Sequence, residues 1–153
     1  KIGSIEKLVP HDANYRPTDL MMAHYSLPFC IALSFYFDPA DPASFDEKKI
    51  RDKNIVALMR KVRLQADHEI EAKGWDRAAR LTVDLGKQGR HSKLIIHFKG
   101  TPGNPLTSAQ VEAKAQKLTQ RILSPRRFQR LVDCVTHLEK LGDVSKLGAI
   151  LRS

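Results

Sequence analysis

Residues 18 to 37, TDLMMAHYSLPFCIALSFYF, are the most apolar stretch of the 153-residue chain. Their apolar side chains recur at the three- and four-residue spacing that is typical of a helix with a buried face. Thr18 or Asp19 can cap the start of this helix. Pro28 lies inside the stretch and has no backbone N–H, so it should kink the helix or split it near Leu27. The sequence therefore predicts a buried, kinked central helix.

The same stretch is long enough to raise a membrane-spanning interpretation, which needs about 20 apolar residues. However, His24 and Pro28 lie near its centre, and polar residues are interspersed. An ionisable side chain is costly inside a bilayer. We therefore interpret the stretch as the buried helix of a water-soluble protein.

Four segments alternate apolar and polar side chains with a period of two: residues 62–70, 80–85 and 93–99 and, more weakly, 2–9. This pattern gives each strand one buried and one exposed face, as in antiparallel sheets. Glycines within residues 86–89 supply the turn between the last two strands. We predict an α+β fold, with an antiparallel sheet of three to four strands packed against the kinked central helix and with C-terminal closing helices.

Helices flank the predicted strands. Asp46 or Asp52 caps one that runs to about Lys61, and closing helices follow the strands. Thr107 or Ser108 caps the first closing helix, with Gln110 in the capping-box position. Ser124 and Pro125 start the second, which ends at Gly142. A short amphipathic tail at residues 144–151 forms the last one. We assign residues 1–106 to an α+β lid-type domain. Residues 107–153 are the closing helices, which pack on the same core or on a separate helical domain.

The chain carries 26 Lys and Arg against 17 Asp and Glu, a formal net charge of +9 at pH 7. Such an excess attracts an anionic partner: nucleic acid, an anionic small molecule, an acidic protein surface or an acidic neighbouring domain. A content of 42% hydrophobic and 28% charged residues is typical of a globular domain rather than of a disordered chain. Composition alone leaves the four partners open.

The two cysteines, Cys30 and Cys134, fall on apolar helix faces, and we predict reduced core residues rather than a disulfide. This use of cysteine, with no secretory leader in the sequence, favours a cytoplasmic location.

The first residue is Lys1, which suggests a piece of a longer protein. No HExxH, CxxC or clustered acidic triplet occurs, and His91 and His97 are too far apart along a strand for one ion, so we predict no metal site.

Candidate catalytic and substrate-binding residues lie in the polar loop at residues 11–17, HDANYRP, just before the central helix. The loop brings together an imidazole, a phenol and a guanidinium, and these groups can bind a carboxylate and shuttle a proton. We take His11 and Tyr15 as candidates for proton transfer and Arg16 as the candidate for substrate binding. The alternative is an ordinary surface connection.

A second cationic cluster, formed by Arg126, Arg127 and Arg130, lies in the first two turns of a predicted helix. Cations at this positive end of the helix dipole are disfavoured by up to about 1 kcal/mol each. We interpret the cluster as a docking point for an anion or an acidic partner surface. Simple solvation with screening by salt is the alternative.

Three motifs, in the same order, resemble those of the MmgE/PrpD family. Residues 23–29, AHYSLPF, resemble the family's A-x-x-S-L-P-[FY] block. Residues 100–107, GTPGNPLT, followed by residues 111–114, VEAK, resemble its segment G-x-P-x-x-P-[LM]-[ST]…[EV]-x-x-K. Residues 138–147, LEKLGDVSKL, resemble its ending L-E-x-L-x-D-[VC]-S-x-L. The resemblance spans most of the chain and covers the later third of a typical member.

The resemblance implies a lid and closing helices of an enzyme whose larger, helical domain is absent here. Members form homodimers and act without metal or cofactor on small polycarboxylates, by dehydration, decarboxylation or epimerisation. Such chemistry moves a proton at a carbon beside a carboxylate and needs a base and cations. Tyr15 and Arg16 resemble family positions near an R-P step. Because most catalytic groups come from the helical domain, we expect the isolated chain to be inactive; the substrate and the reaction stay open.

Two other functions are open. A nucleic-acid-binding module would suit the charge, but basic residues such as Arg60 and Arg63 are scattered over several elements and only 7% of residues are aromatic. Nucleic acid is therefore not expected as a partner. A non-catalytic interaction domain would expose a contiguous apolar patch on the helices at residues 128–141 or 144–151.

Overall fold

The computed structural model of the protein describes residues 14–152. This part of the chain is α+β, with eight α-helices and two β-strands. In chain order the elements are α1 Leu20–Tyr25, α2 Leu27–Ser34, α3 Glu47–Ile50, α4 Lys53–Met59, α5 His68–Ala72, β1 Ala79–Asp84, β2 Arg90–Ile95, α6 Ser108–Thr119, α7 Pro125–Thr136 and α8 Ser145–Leu151. The strand predicted at residues 2–9 and the candidate residue His11 lie outside the described residues.

The chain divides into two compact units between Pro105 and Leu106. Of the described elements, α1 to α5 and both strands belong to the first unit, and α6 to α8 belong to the second. Every helix within residues 14–152 falls short of the length and apolar character that a membrane span requires.

The predicted central helix is two helices that meet at Ser26. The Asp19 carboxylate caps α1 by accepting a hydrogen bond from the Met22 N–H at 2.9 Å. The Ser26 hydroxyl caps α2 by accepting a hydrogen bond from the Phe29 N–H at 3.1 Å. Each helix therefore starts at its own polar cap.

The position of the break follows from Pro28, which falls in the first turn of α2. A proline loses nothing there, because first-turn N–H groups have no partner inside the helix. The split predicted near Leu27 is confirmed. The single kinked helix running to residue 37 is not found, because α2 ends at Ser34 and a turn follows.

The core of the first unit lies where α2 packs on α4. Asp46 and Asp52 cap α3 and α4, so the one helix predicted up to Lys61 is two short helices. The buried apolar residues of this core are Ala23, Phe29, Ala32, Leu33, Ile50, Ile55 and Met59.

The two strands pair antiparallel, with Ala79 opposite Ile95. Gly86 and Gly89 turn the chain between them with φ angles of 61° and 99°, which glycine adopts without strain. The antiparallel pairing and the turn are confirmed. The sheet has two strands within residues 14–152, where three were predicted.

The strand predicted at residues 62–70 is wrong. Residues 62–67 have no regular structure, and α5 begins at His68. The Asp67 carboxylate accepts hydrogen bonds from the N–H groups of Glu69 and Ile70 at 3.0 and 3.2 Å. This cap starts a helix in the middle of the alternating segment, because it satisfies donors that a helix start leaves unpaired.

Most of the helix boundaries predicted for the second unit are found in the structure. Thr107 and Gln110 form the predicted capping box at the start of α6. Ser124 caps α7, as predicted. However, α7 ends at Thr136 rather than at Gly142, and a 3-10 turn follows it. The predicted tail helix is α8.

Candidate anion-binding cleft

An open cleft of about 470 Å³ lies in the first unit, where the segment before α1 meets the segment after α4. Its lining residues are Tyr15, Arg16, Arg60, Arg63 and Leu64. Three of the five are arginines, each of which carries a positive charge. The cleft is therefore strongly cationic.

The carbonyl oxygen of Val62 joins the two segments that form the cleft. It accepts a hydrogen bond from the Tyr15 hydroxyl at 3.2 Å, across 47 positions of sequence. It also accepts one from Nη1 of Arg63 at 3.2 Å. The same Nη1 donates to the carbonyl oxygen of Arg60 at 2.7 Å. These bonds hold a phenol and a guanidinium at fixed positions beside the cleft.

The segment that carries Tyr15 and Arg16 is held at both ends. Asn14 is buried, and its carbonyl oxygen accepts a hydrogen bond from the Ser26 hydroxyl at the break between α1 and α2. Pro17, on the other side, is also buried. The exposed Arg16 therefore projects from a backbone that the central helices fix in place.

The arginines of the cleft have no acidic partner in the described chain. Within residues 14–152, no carboxylate forms an ion pair with Arg16, Arg60 or Arg63; the ion pairs found there involve Lys49, His68 and Arg80. Like charges gathered at one concave surface raise the local concentration of anions. The volume is within the usual range of small-ligand sites, about 300–1,000 Å³. The arrangement can therefore bind a small anion with more than one charge.

The family model of the MmgE/PrpD C-terminal domain matches residues 4–140. The chain belongs to the MmgE/PrpD family. The family and the C-terminal position that the three motifs predict are thus confirmed. The matched range contains every lining residue of the cleft and elements of both units. No curated protein matches the chain.

Sequence reasoning found part of the cleft of this MmgE/PrpD domain. Tyr15 and Arg16, predicted from the polar loop, line it together. Arg60 and Arg63 belong to the basic residues scattered over several elements, and nothing local to the sequence signals that they line the same cleft as Arg16. The Tyr15 hydroxyl donates to the Val62 carbonyl, so it would have to leave that bond before donating a proton to a substrate.

The second predicted cluster lies on α7, in the second unit of the MmgE/PrpD domain. Arg127 donates from Nη2 to the carbonyl oxygen of Ile150 at 2.6 Å and to that of Arg152. These carbonyls lie at the end of α8, where helical C=O groups lack partners and attract cations. Arg126 and Arg130 are exposed. Docking of an anion or a partner at this cluster stays a prediction.

A smaller cleft of about 240 Å³ lies in the first unit beside the hairpin, and Trp75, Arg77, His97 and Phe98 line part of it. The guanidinium of Arg77 lies 5.7 Å from the centre of the Phe98 ring, a cation–π distance.

Burial raises the pKa of the Cys30 thiol, so that thiol stays protonated. Within residues 14–152, no group of three or more His, Cys, Asp or Glu residues could hold a metal ion.

Proposed function

We propose that this MmgE/PrpD domain is the C-terminal, lid-type portion of a metal-free lyase or isomerase. The enzyme would act on a small polycarboxylate by moving a proton at a carbon beside a carboxylate. The observation that carries the proposal is the cleft in which Tyr15 and Arg16 lie with two further arginines. Proton abstraction beside a carboxylate builds up negative charge, and fixed cations stabilise it.

Arg16 binds a carboxylate of the substrate in this proposal. A guanidinium can donate two parallel hydrogen bonds to one carboxylate, which fixes the orientation of the anion as well as its position. Tyr15 and His11 are the candidates for proton transfer within the chain. The remaining catalytic groups come from the helical domain that the family resemblance implies, so the isolated chain binds the substrate without converting it.

The partners that we propose are a helical domain and a second copy of the protein. The family resemblance and the exposed apolar side chains of the second unit support them. Val111, Ile122 and Val144 are large apolar side chains that lie mostly exposed on or next to α6 and α8. We assign them to packing against the helical domain, in a cytoplasmic homodimer. Burying one such side chain is worth about 1.5–3 kcal/mol, so several of them together would favour contact between the two domains.

Calorimetry with citrate tests this proposal directly. Citrate should bind the wild-type chain, and Arg16→Gln should weaken binding by about 10- to 100-fold, because a hydrogen bond to a charged group is worth about 1.5–3 kcal/mol. Arg90→Gln is the matched control, since Arg90 is exposed on β2 and its loss removes the same charge. Equal weakening in both variants would show a nonspecific effect of charge, and the proposal would be wrong.

Turnover is followed separately, by proton NMR of 2-methylcitrate and cis-aconitate incubated with the chain. We expect both compounds to remain unchanged while citrate binding is intact. Product formation by the isolated chain would contradict the assignment of catalytic groups to another domain.

A second candidate function is a non-catalytic interaction module. The exposed apolar side chains of the second unit favour it, because exposed apolar surface is what a partner would cover. This function predicts that citrate does not bind, whereas the lyase proposal requires that it does.

A further inference from the structure

Arg60 and Arg63 line the same cleft as Arg16 but come from a distant part of the chain. They follow α4 directly, whereas Arg16 precedes α1, and both segments line the same cleft. The meeting point is fixed by the hydrogen bond from the Tyr15 hydroxyl to the carbonyl oxygen of Val62. Three cations from two segments thus converge on one concave surface.

Arg63 is held in place before any ligand arrives. Its Nη1 donates to the carbonyl oxygens of Arg60 and Val62 at 2.7 and 3.2 Å. Within residues 14–152, its Nε and Nη2 atoms form no hydrogen bond, so three of the five N–H donors of the group stay available. A guanidinium that is already oriented loses less freedom when it binds an anion.

The electrostatics of α4 explain only part of this arrangement. Cations near the last turn of a helix are stabilised by its exposed carbonyls, and the bond from Arg63 to the Arg60 carbonyl is such a contact. That interaction does not account for Arg16, which comes from another segment and lines the same cavity. An anion bound in the cavity would neutralise positive charge that the end of α4 does not.

We propose that Arg60 and Arg63 form a polyanion site with Arg16 and select anions with several carboxylates over anions with one. Arg16 binds one carboxylate, and Arg60 and Arg63 bind a second. This inference deepens the proposed function and rests on it. One carboxylate carries a single negative charge and would leave two of the three cations unneutralised. The several charges of a di- or tricarboxylate can neutralise more of them within one cleft of about 470 Å³.

The test compares binding of acetate, tricarballylate, citrate and inorganic phosphate to three proteins by calorimetry. These are the wild-type chain, the double variant Arg60→Gln/Arg63→Gln and the control Lys87→Gln/Arg90→Gln. The control removes the same two charges from exposed positions at the hairpin. We expect the double variant to lose at least tenfold in citrate and tricarballylate affinity, with acetate affinity changed less than threefold, and the control to keep the wild-type preference.

A third variant guards against a loss of structure. Arg60→Gln alone removes a side chain that forms no hydrogen bond within the described residues, so it leaves the bonds of Arg63 intact. It should fold with the far-ultraviolet circular dichroism of the wild type and lose part of the preference for citrate over acetate. A folded Arg60→Gln protein with the full wild-type preference would remove Arg60 from the site.

The outcomes separate this inference from the function it rests on. If citrate binds through Arg16 but the Arg60 and Arg63 variants bind it as the wild type does, the inference is wrong and the proposed function stands. If citrate does not bind the wild-type chain, both are wrong. If phosphate binds as tightly as citrate, the site recognises charge rather than spaced carboxylates, and the proposed selectivity is wrong.

Discussion

The two units of the chain differ in how completely they cover their apolar side chains. In the first, α2 and α4 bury Phe29, Leu33 and Ile55 almost fully. In the second, α6 buries none of its side chains, although its apolar residues are spaced for one face of a helix. The unit that carries the cationic cleft therefore has a well-buried core of its own, whereas the second unit leaves much of its apolar surface exposed.

The first unit also exposes some of its apolar residues. Phe35 and Phe37, which follow α2, are about half exposed. The Lys49 ammonium lies 4.4 Å from the centre of the Phe37 ring, which covers part of it. The second unit buries Leu123, Phe128 and Ile150 among its described residues. The two units therefore differ in degree, and substitutions in the first core should destabilise the chain more than substitutions on the surface of the second unit.

The largest effect is expected in the first core. Phe29 is 1% exposed, and Phe29→Ala should lower the free energy of unfolding by about 3–5 kcal/mol, because it removes an aromatic ring from a packed site. Urea unfolding followed by circular dichroism measures the change. Phe35→Ala is the matched control, since Phe35 is 52% exposed and should change stability by less than about 0.5 kcal/mol. Equal losses in the two variants would contradict the assignment of the core.

Ser26→Ala probes the junction that links this core to the cleft. It removes the cap of α2 and the hydrogen bond to the Asn14 carbonyl, so we expect a loss of about 1–3 kcal/mol. The exposed Ser34→Ala is the control, measured by the same urea titration. Citrate affinity should fall along with stability in Ser26→Ala. A destabilised variant that binds citrate normally would show that the junction does not position Arg16.

A smaller, pH-dependent effect is expected at the Asp67–Arg80 ion pair in the first unit. Arg80 donates from Nε to Asp67 at 2.7 Å and from Nη2 to Glu69 at 2.5 Å. The hydrogen bond from Arg80, with main-chain N–H donors, lowers the pKa of Asp67 in the folded chain. A lowered pKa stabilises the fold above the unfolded value of about 3.9, and this stability is lost as the pH falls through the folded value.

Arg80→Gln should therefore lower the melting temperature at pH 7 and have less effect at pH 3, because the stability from the lowered pKa of Asp67 declines once the pH is below the unfolded value of about 3.9. Arg90→Gln, which removes an exposed charge from the paired strand, serves as the control. Thermal melts at the two pH values give the result. A difference between Arg80→Gln and wild type that is the same at both pH values would mean that the pair does not supply pH-dependent stability.

The smallest effect is expected on the surface of the second unit. Ile122 is 66% exposed, and Ile122→Ser should change the free energy of unfolding by less than about 0.5 kcal/mol. Ile150→Ala, at a site 4% exposed in the same unit, should cost about 2–5 kcal/mol if α7 and α8 form a stable pair. A strong loss in Ile122→Ser would show that this surface is already covered in the isolated chain.

Local signals in the sequence predicted much of the fold. The caps at Asp19, Thr107 and Ser124 formed as predicted, because a cap depends on side chains within three residues of it. The strand at 62–70 failed for the same reason: its alternating pattern contained Asp67, whose carboxylate starts a helix. Where two local signals compete, the pattern alone does not rank them.

The candidate site could be predicted only in part. The composition of the loop pointed to Tyr15 and Arg16, since a phenol and a guanidinium in a polar turn are a local feature. Arg60 and Arg63 could not be assigned, because they reach the cleft through a contact made across more than 40 positions of sequence. Such long-range contacts are set by the packing of α2 on α4, which no short motif encodes.

Proton–nitrogen NMR of the whole chain during a citrate titration locates citrate binding residue by residue. We predict saturable shifts of the amide signals of Tyr15, Arg16 and Arg63, while the amides of α6 and α8 stay unchanged. Shifts confined to the amides around Arg126 and Arg130, or none at the cleft with citrate in excess, would contradict the assignment of substrate binding to the first unit.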